Sequence, residues 1–130
     1  MDILDLIPLP EIPIIAPDGS EIRELRSTAR GSMAHCTLLP GQASKAVVHR
    51  TVEEIWVFLE GEGEVYRKTG DQVRVDAVKP GVSLAIPTGT HFQFRSTGQT
   101  PLRFLLVTMP PWPGADEAVR VEDYWPVPTT

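Results

Sequence analysis

Residues 41–65 read GQASKAVVHRTVEEIWVFLEGEGEV, and the alternation inside this stretch decides the fold. Side chains alternate across a strand, so Val47 and His49 share one face, and Glu54, Trp56 and Phe58 share a face of theirs. A face that mixes one Glu and one His with bulky aromatics is what lines a pocket in a small barrel. By the same alternation Glu53 faces away from Glu54, toward solvent. The stretch ends on LEGEGEV, where Gly61 and Gly63 supply the positive dihedral angles of a hairpin. No helix follows these glycines, so they form no phosphate cradle.

Outward from this stretch the chain keeps the same habit. Thirteen prolines and ten glycines prevent any apolar repeat of helical period from running three turns. Short alternating runs remain at 21–27, 32–39, 46–50, 54–60, 64–69, 72–78, 82–86, 91–96 and 102–108. Turn residues such as Pro17-Asp18-Gly19, Pro40-Gly41, Gly70-Asp71 and Pro80-Gly81 separate them. Short strands at this spacing predict a sandwich, jelly roll or small barrel with little or no helix. The chain has 130 residues, 42% of them apolar, which suits one domain. The ends, apolar and rich in Pro and Trp, are expected to lie along the barrel or across a subunit interface.

With 17 acids against 12 bases the net charge is −5, and no basic cluster interrupts it, which disfavours nucleic acid. The expected partner is a small molecule. No run reaches the length of a membrane span, and MDILDLIPLP has acids where a signal peptide carries positive charge. The expectation is therefore a cytoplasmic chain with no membrane partner. Cys36 is alone, which rules out an internal disulfide, and reads as inert packing. His35, in SMAHCTLL, reads as a structural histidine.

A second stretch, residues 80–98, reads PGVSLAIPTGTHFQFRSTG and forces a choice of register. Either Phe92, Phe94 and Ser96 face inward, or His91, Gln93 and Arg95 do. Burying two phenylalanines is worth about 1.5–3 kcal/mol each. Turning Arg95 inward without a partner costs several kcal/mol, so energy favours the phenylalanines. A bulge beside Gly89 would slip the register by one residue and bring His91 in.

The two stretches together resemble the paired motifs of the cupin superfamily. In the first motif a Gly is followed after five residues by His-x-His, then by a Glu and, six residues later, a Gly. Gly41, His49, Glu54 and Gly61 fit this frame, with Val47 where the family has its first histidine. In the second motif Gly81, Pro87 and Gly89 fit, with Phe92 where a metal-binding histidine would stand and Ser96 in place of an Asn. The resemblance covers roughly 32–108 and implies an all-β antiparallel double-stranded β-helix, or jelly-roll barrel, with a core at about 21–108. Residues 1–20 become an N-terminal arm, and 109–130 a tail packed on the barrel or on the partner of a homodimer.

What the resemblance implies about chemistry divides into two readings. In the first, the metal set is degenerate and no cofactor is needed. His49 and Glu54 are then a hydrogen-bonded acid/base couple, suited to a metal-independent isomerase, epimerase or cyclase. Val47, Trp56, Phe58, Phe92 and Phe94 line its pocket. In the second, His49, Glu54 and His91 bind a divalent iron, manganese, nickel or zinc ion, as in cupin oxygenases and decarboxylases. His49 also has a plainer reading, a core histidine satisfied by Glu54 or Glu53. Arg50, Arg67 and Arg95 read as outer-face or rim charges, and one of them at the pocket mouth would favour an anionic ligand.

Overall fold

The computed structural model describes residues 2–128. In chain order the elements are β1 (Ile14–Ile15), β2 (Glu21–Ser27), β3 (Ser32–Leu38), β4 (Val47–His49), β5 (Glu53–Glu60), β6 (Gly63–Thr69), β7 (Gln72–Val78), β8 (Ser83–Ile86), β9 (His91–Ser96), β10 (Leu102–Met109) and β11 (Ala118–Arg120). The one helical element among the described residues is a 3-10 turn at Ala115–Glu117. The strands form two antiparallel sheets, one in the order β1-β2-β3-β10-β5-β8 and the other in the order β11-β4-β9-β6-β7. Each strand presents alternate residues inward, so the two sheets close on each other as a jelly-roll barrel.

The register explains which residues meet inside. On the six-stranded sheet Phe104 lies opposite Cys36 and Phe58, Leu106 opposite Ala34 and Trp56, and Thr108 opposite Ser32 and Glu54. On the five-stranded sheet Val47 lies opposite Phe92, and Val65 opposite Phe94. Trp56 stacks on Phe104 with ring centroids 4.4 Å apart, and Phe94 meets Phe104 edge-on at 5.3 Å. This aromatic cluster joins the sheets in arrangements that exceed plain area burial. Arg67 ties the opposite end of the barrel, donating to the Ala85 carbonyl at 3.0 Å and to the Asp76 carboxylate at 3.0 Å.

Gly61 is required by close packing. Its φ is 80°, and a Cβ placed there would run into the Pro101 carbonyl oxygen.

The tail departs from a simple barrel in ways that alternation could not reveal. β4 is shorter than the expected 46–50 run because partners from the tail take its flanking amides. The Ala46 N–H donates to the Asp123 carboxylate at 2.8 Å, and the Arg50 N–H to the Glu117 carbonyl at 3.0 Å. β11 then pairs with β4, and β1 with β2, at the edges of the two sheets. Gln93, on the face of β9 opposite Phe92 and Phe94, is fully buried under the tail. Its Oε1 accepts the N–H groups of Tyr124 and Trp125 at 2.8 Å each, and its Nε2 donates to the carbonyls of Ser44 and Trp125. All four hydrogen-bonding positions of the amide are thus used.

Candidate functional site

A cavity of about 460 Å³ opens inside the barrel, within the range of small-molecule sites. Strands β2, β3, β4, β5, β9 and β10 supply most of its wall, and the segment before β2 and the tail supply the rest. The polar groups on an otherwise apolar surface include Asp18, His49, Glu54 and Thr108.

Glu54 is placed by strand pairing. Because Thr108 stands directly across from it, the threonine hydroxyl donates to Oε2 at 2.7 Å. Two residues along the same face, Trp56 Nε1–H donates to Oε1 at 3.0 Å. Burial pushes the Glu54 carboxyl above its ordinary value of 4.5, and the two hydrogen bonds offset only part of that.

His49 sits on β4 at 6% exposure, with its ring edge-on to Phe92 at 5.1 Å and to Trp112 at 5.2 Å. Its Nδ1 is buried and has no hydrogen-bond partner among the described residues. Burial draws its pKa below the ordinary 6.5, more strongly than the negative charges of Glu117 and Asp18 raise it. The side chain is therefore a neutral imidazole in the cavity wall with one ring nitrogen left unused. Such an orphaned buried group costs free energy unless something binds to it.

Several expectations from the sequence need correction. His49 and Glu54 line one cavity but are not a hydrogen-bonded couple: the carboxylate is held by Trp56 and Thr108. Glu53 is no partner either, being exposed opposite Met109. Phe58, expected on the pocket wall, is buried against Phe104 and Trp56 without lining the cavity, whereas Val47, Trp56, Phe92 and Phe94 do line it. Phe92 and Phe94 take the inward register, at 2% and 1% exposure. His91 accordingly faces away, paired across from Val48 and Lys68, so His49, Glu54 and His91 do not converge. Of the arginines, Arg95 pairs with Glu64 and covers the Trp125 ring, Arg67 reaches β8, and none of the three stands on the cavity wall.

Cys36, read as packing, does line the cavity, and burial lifts its thiol well above the ordinary range. His35 faces the other side of β3, opposite Arg23 and Leu105.

Residues not anticipated complete the site. Thr108 follows Phe104 and Leu106 at spacing two, so the alternation of β10 could have found it. Asp18 was visible only as a turn residue; its carboxylate accepts from the Ser20 N–H at 2.9 Å and the Ser20 hydroxyl at 2.6 Å. Burial raises its pKa despite those bonds. Trp112 reaches the cavity because its backbone N–H is fixed to the Ser32 hydroxyl at 3.0 Å, a tertiary contact with no local signature.

Glu117 holds the tail against the β4–β5 connection. Its carboxylate accepts the backbone N–H groups of Thr51 and Val52 at 2.6 and 2.7 Å and the Thr51 hydroxyl at 2.7 Å. Burial pushes its pKa up, but these bonds outweigh it, and the group sits below its ordinary range.

Comparison with known proteins agrees with this architecture. Residues 34–108 match the family model described as Cupin domain. The uncharacterized protein MJ1618 of Methanocaldococcus jannaschii is 32% identical over 112 residues, covering 82% of this chain and 86% of that one. Among solved structures, the capsular polysaccharide assembling protein CapF of Staphylococcus aureus is 18% identical with a TM-score of 0.74, over 89% of this chain and 35% of that one. Oxalate decarboxylase OxdC of Bacillus subtilis is also 18% identical, with a TM-score of 0.72, over 88% of this chain and 33% of that one. At such identities these two likenesses speak to fold alone.

That decarboxylase has Mn(II) centres. The residues here do not fit such a centre. Val47 and Phe92 stand at two histidine positions of the motifs, both oxygens of Glu54 already hold donors, and no group of three His, Cys, Asp or Glu with metal-binding geometry occurs among the described residues. With the jelly-roll barrel, both glycine frames and the family match over 34–108 in agreement, the chain belongs to the cupin family.

Proposed function

We propose that this cupin binds a small organic molecule in the barrel cavity without a metal ion, and that His49 and Glu54 handle its protons. The observation that carries the reading is the unpartnered Nδ1 of His49, buried in the wall of a largely apolar cavity that also holds Glu54. Burial shifts the two groups in opposite senses, His49 down and Glu54 up, in each case toward the uncharged form. The neutral imidazole accepts a proton from the bound molecule, and Glu54 exchanges one elsewhere on it. That is the chemistry of an isomerase, epimerase or cyclase, and it needs no direct contact between the two groups.

A homodimer belongs to the same proposal. The outer face of the six-stranded sheet exposes Ile55, Val57 and Leu59 on β5 and, across the intervening β10, Met33 on β3, a patch of the kind that marks an interface. A cytoplasmic location is part of the proposal too; among the described residues no helix is long and apolar enough to cross a membrane.

The test is elemental analysis of protein purified without chelator, together with native mass spectrometry for a co-purified organic molecule. The expected result is metal far below one ion per chain, and a bound small molecule that H49F fails to retain. Near-stoichiometric metal, lost on replacing His49 with Ala, overturns the proposal.

A further inference from the structure

The charges on the cavity wall are of one sign. Asp18, Glu24 and Glu54 line it, and no lysine or arginine does. The nearby arginines are engaged elsewhere: Arg23 donates to the Pro10 and Glu11 carbonyls, Arg67 to Asp76, and Arg95 to Glu64. Burial makes Asp18 and Glu54 each harder to ionise, and the charge of Glu54 raises the pKa of Asp18 further. The rest of the wall is mostly apolar, aliphatic side chains with the rings of Trp56, Phe92, Phe94, Phe104 and Trp112 among them, and His49 stands beside Phe92 and Trp112.

Each part of this wall suits a positive charge. An anion entering would meet carboxylates with no countercharge, in a setting where Coulomb energies are larger than in water. An ammonium group would meet carboxylate oxygens, the acceptor nitrogen of a neutral imidazole and the negative faces of aromatic rings. A bare metal ion needs three or four converging donors, which are not assembled here, whereas an organic cation needs only carboxylates and rings around an apolar body.

From this juxtaposition of the buried Glu54 with Asp18, the unpartnered His49 and a set of aromatic rings on an apolar wall without lysine or arginine, we infer that the cavity's ligand is an organic cation, an amine carried on an apolar body, and that carboxylate and phosphate-ester substrates are excluded. The inference rests on the reading of the cavity as a metal-free small-molecule site. Glu54 and Asp18 receive the ammonium group, and the rings hold the body.

The experiment uses three probes of one shape on the full chain: 2-phenylethylamine, 2-phenylethanol and 3-phenylpropanoate, by calorimetry and thermal shift at neutral pH. The amine is expected to bind at least tenfold more tightly than the alcohol, with the carboxylate giving no shift. E54Q and D18N, chosen as a pair so that one misfolded variant does not decide the matter, are each expected to reduce that tenfold preference. An alcohol that binds as well as the amine, or a carboxylate that binds at all, overturns the organic cation but leaves the cavity as a small-molecule site. Failure of all three probes, with no co-purified molecule in native mass spectrometry, overturns both.

Discussion

At the scale of single residues, the site depends on how Glu54 is held. Thr108 donates to one of its oxygens and Trp56 to the other, so removing either donor leaves a buried acceptor unsatisfied. T108V is expected to cost about 1–3 kcal/mol in urea unfolding. The pH dependence follows from the sign of each shift. Glu54's folded pKa is raised, so its contribution to stability is fully present below 4.5 and is lost as pH rises through the folded value. His49's folded pKa is lowered, so its contribution is present above 6.5 and is lost as pH falls. E54Q removes only the first, and its stability relative to wild type is expected to grow as pH rises from 4.5 toward neutrality, read as the difference in urea midpoints. The absent metal site gives a gain-of-function prediction. Val47 and Phe92 face each other across β4 and β9 on the cavity side, so V47H/F92H adds two imidazoles near His49 and Glu54. The double variant is expected to bind Co(II) with the visible spectrum of a coordinated ion, and wild type to show none. These inward positions were legible because strand alternation depends only on neighbours in sequence. The pairing of Glu54 with Thr108 was not, because the threonine lies 54 residues away on β10.

At the scale of elements, β9 shows where alternation stops being informative. Its inward face is as the pattern demands, but Gln93 on the other face is 0% exposed. A polar side chain opposite two phenylalanines reads as solvated, and only the tail, crossing from a distant part of the chain, buries it. Because the amide satisfies four backbone groups at once, Q93A leaves those donors and acceptors without partners. Destabilisation of about 3 kcal/mol or more is expected, with amide hydrogen exchange rising first in residues 118–128. The nine expected runs of the barrel have counterparts in β2 to β10, since Pro and Gly mark their ends, whereas β1 and β11 span only two and three residues and exist through pairing alone.

At the scale of the whole molecule, the barrel has an aromatic interior, an acidic chamber and an apolar outer sheet. If that sheet is the dimer face, placing charge at its centre is disruptive, and I55E/V57E is expected to sediment as a monomer where wild type sediments as a dimer. The chamber itself is closed late in the chain. Trp112 and Ala118 form part of its wall, and Glu117 fastens that wall to Thr51 and Val52, 66 and 65 residues upstream. A chain in which residues 112–118 have not yet docked therefore has a roofless chamber, however well its earlier strands have paired. Ligand capture must wait for that segment to dock, because it is the piece that makes the vessel hold its contents.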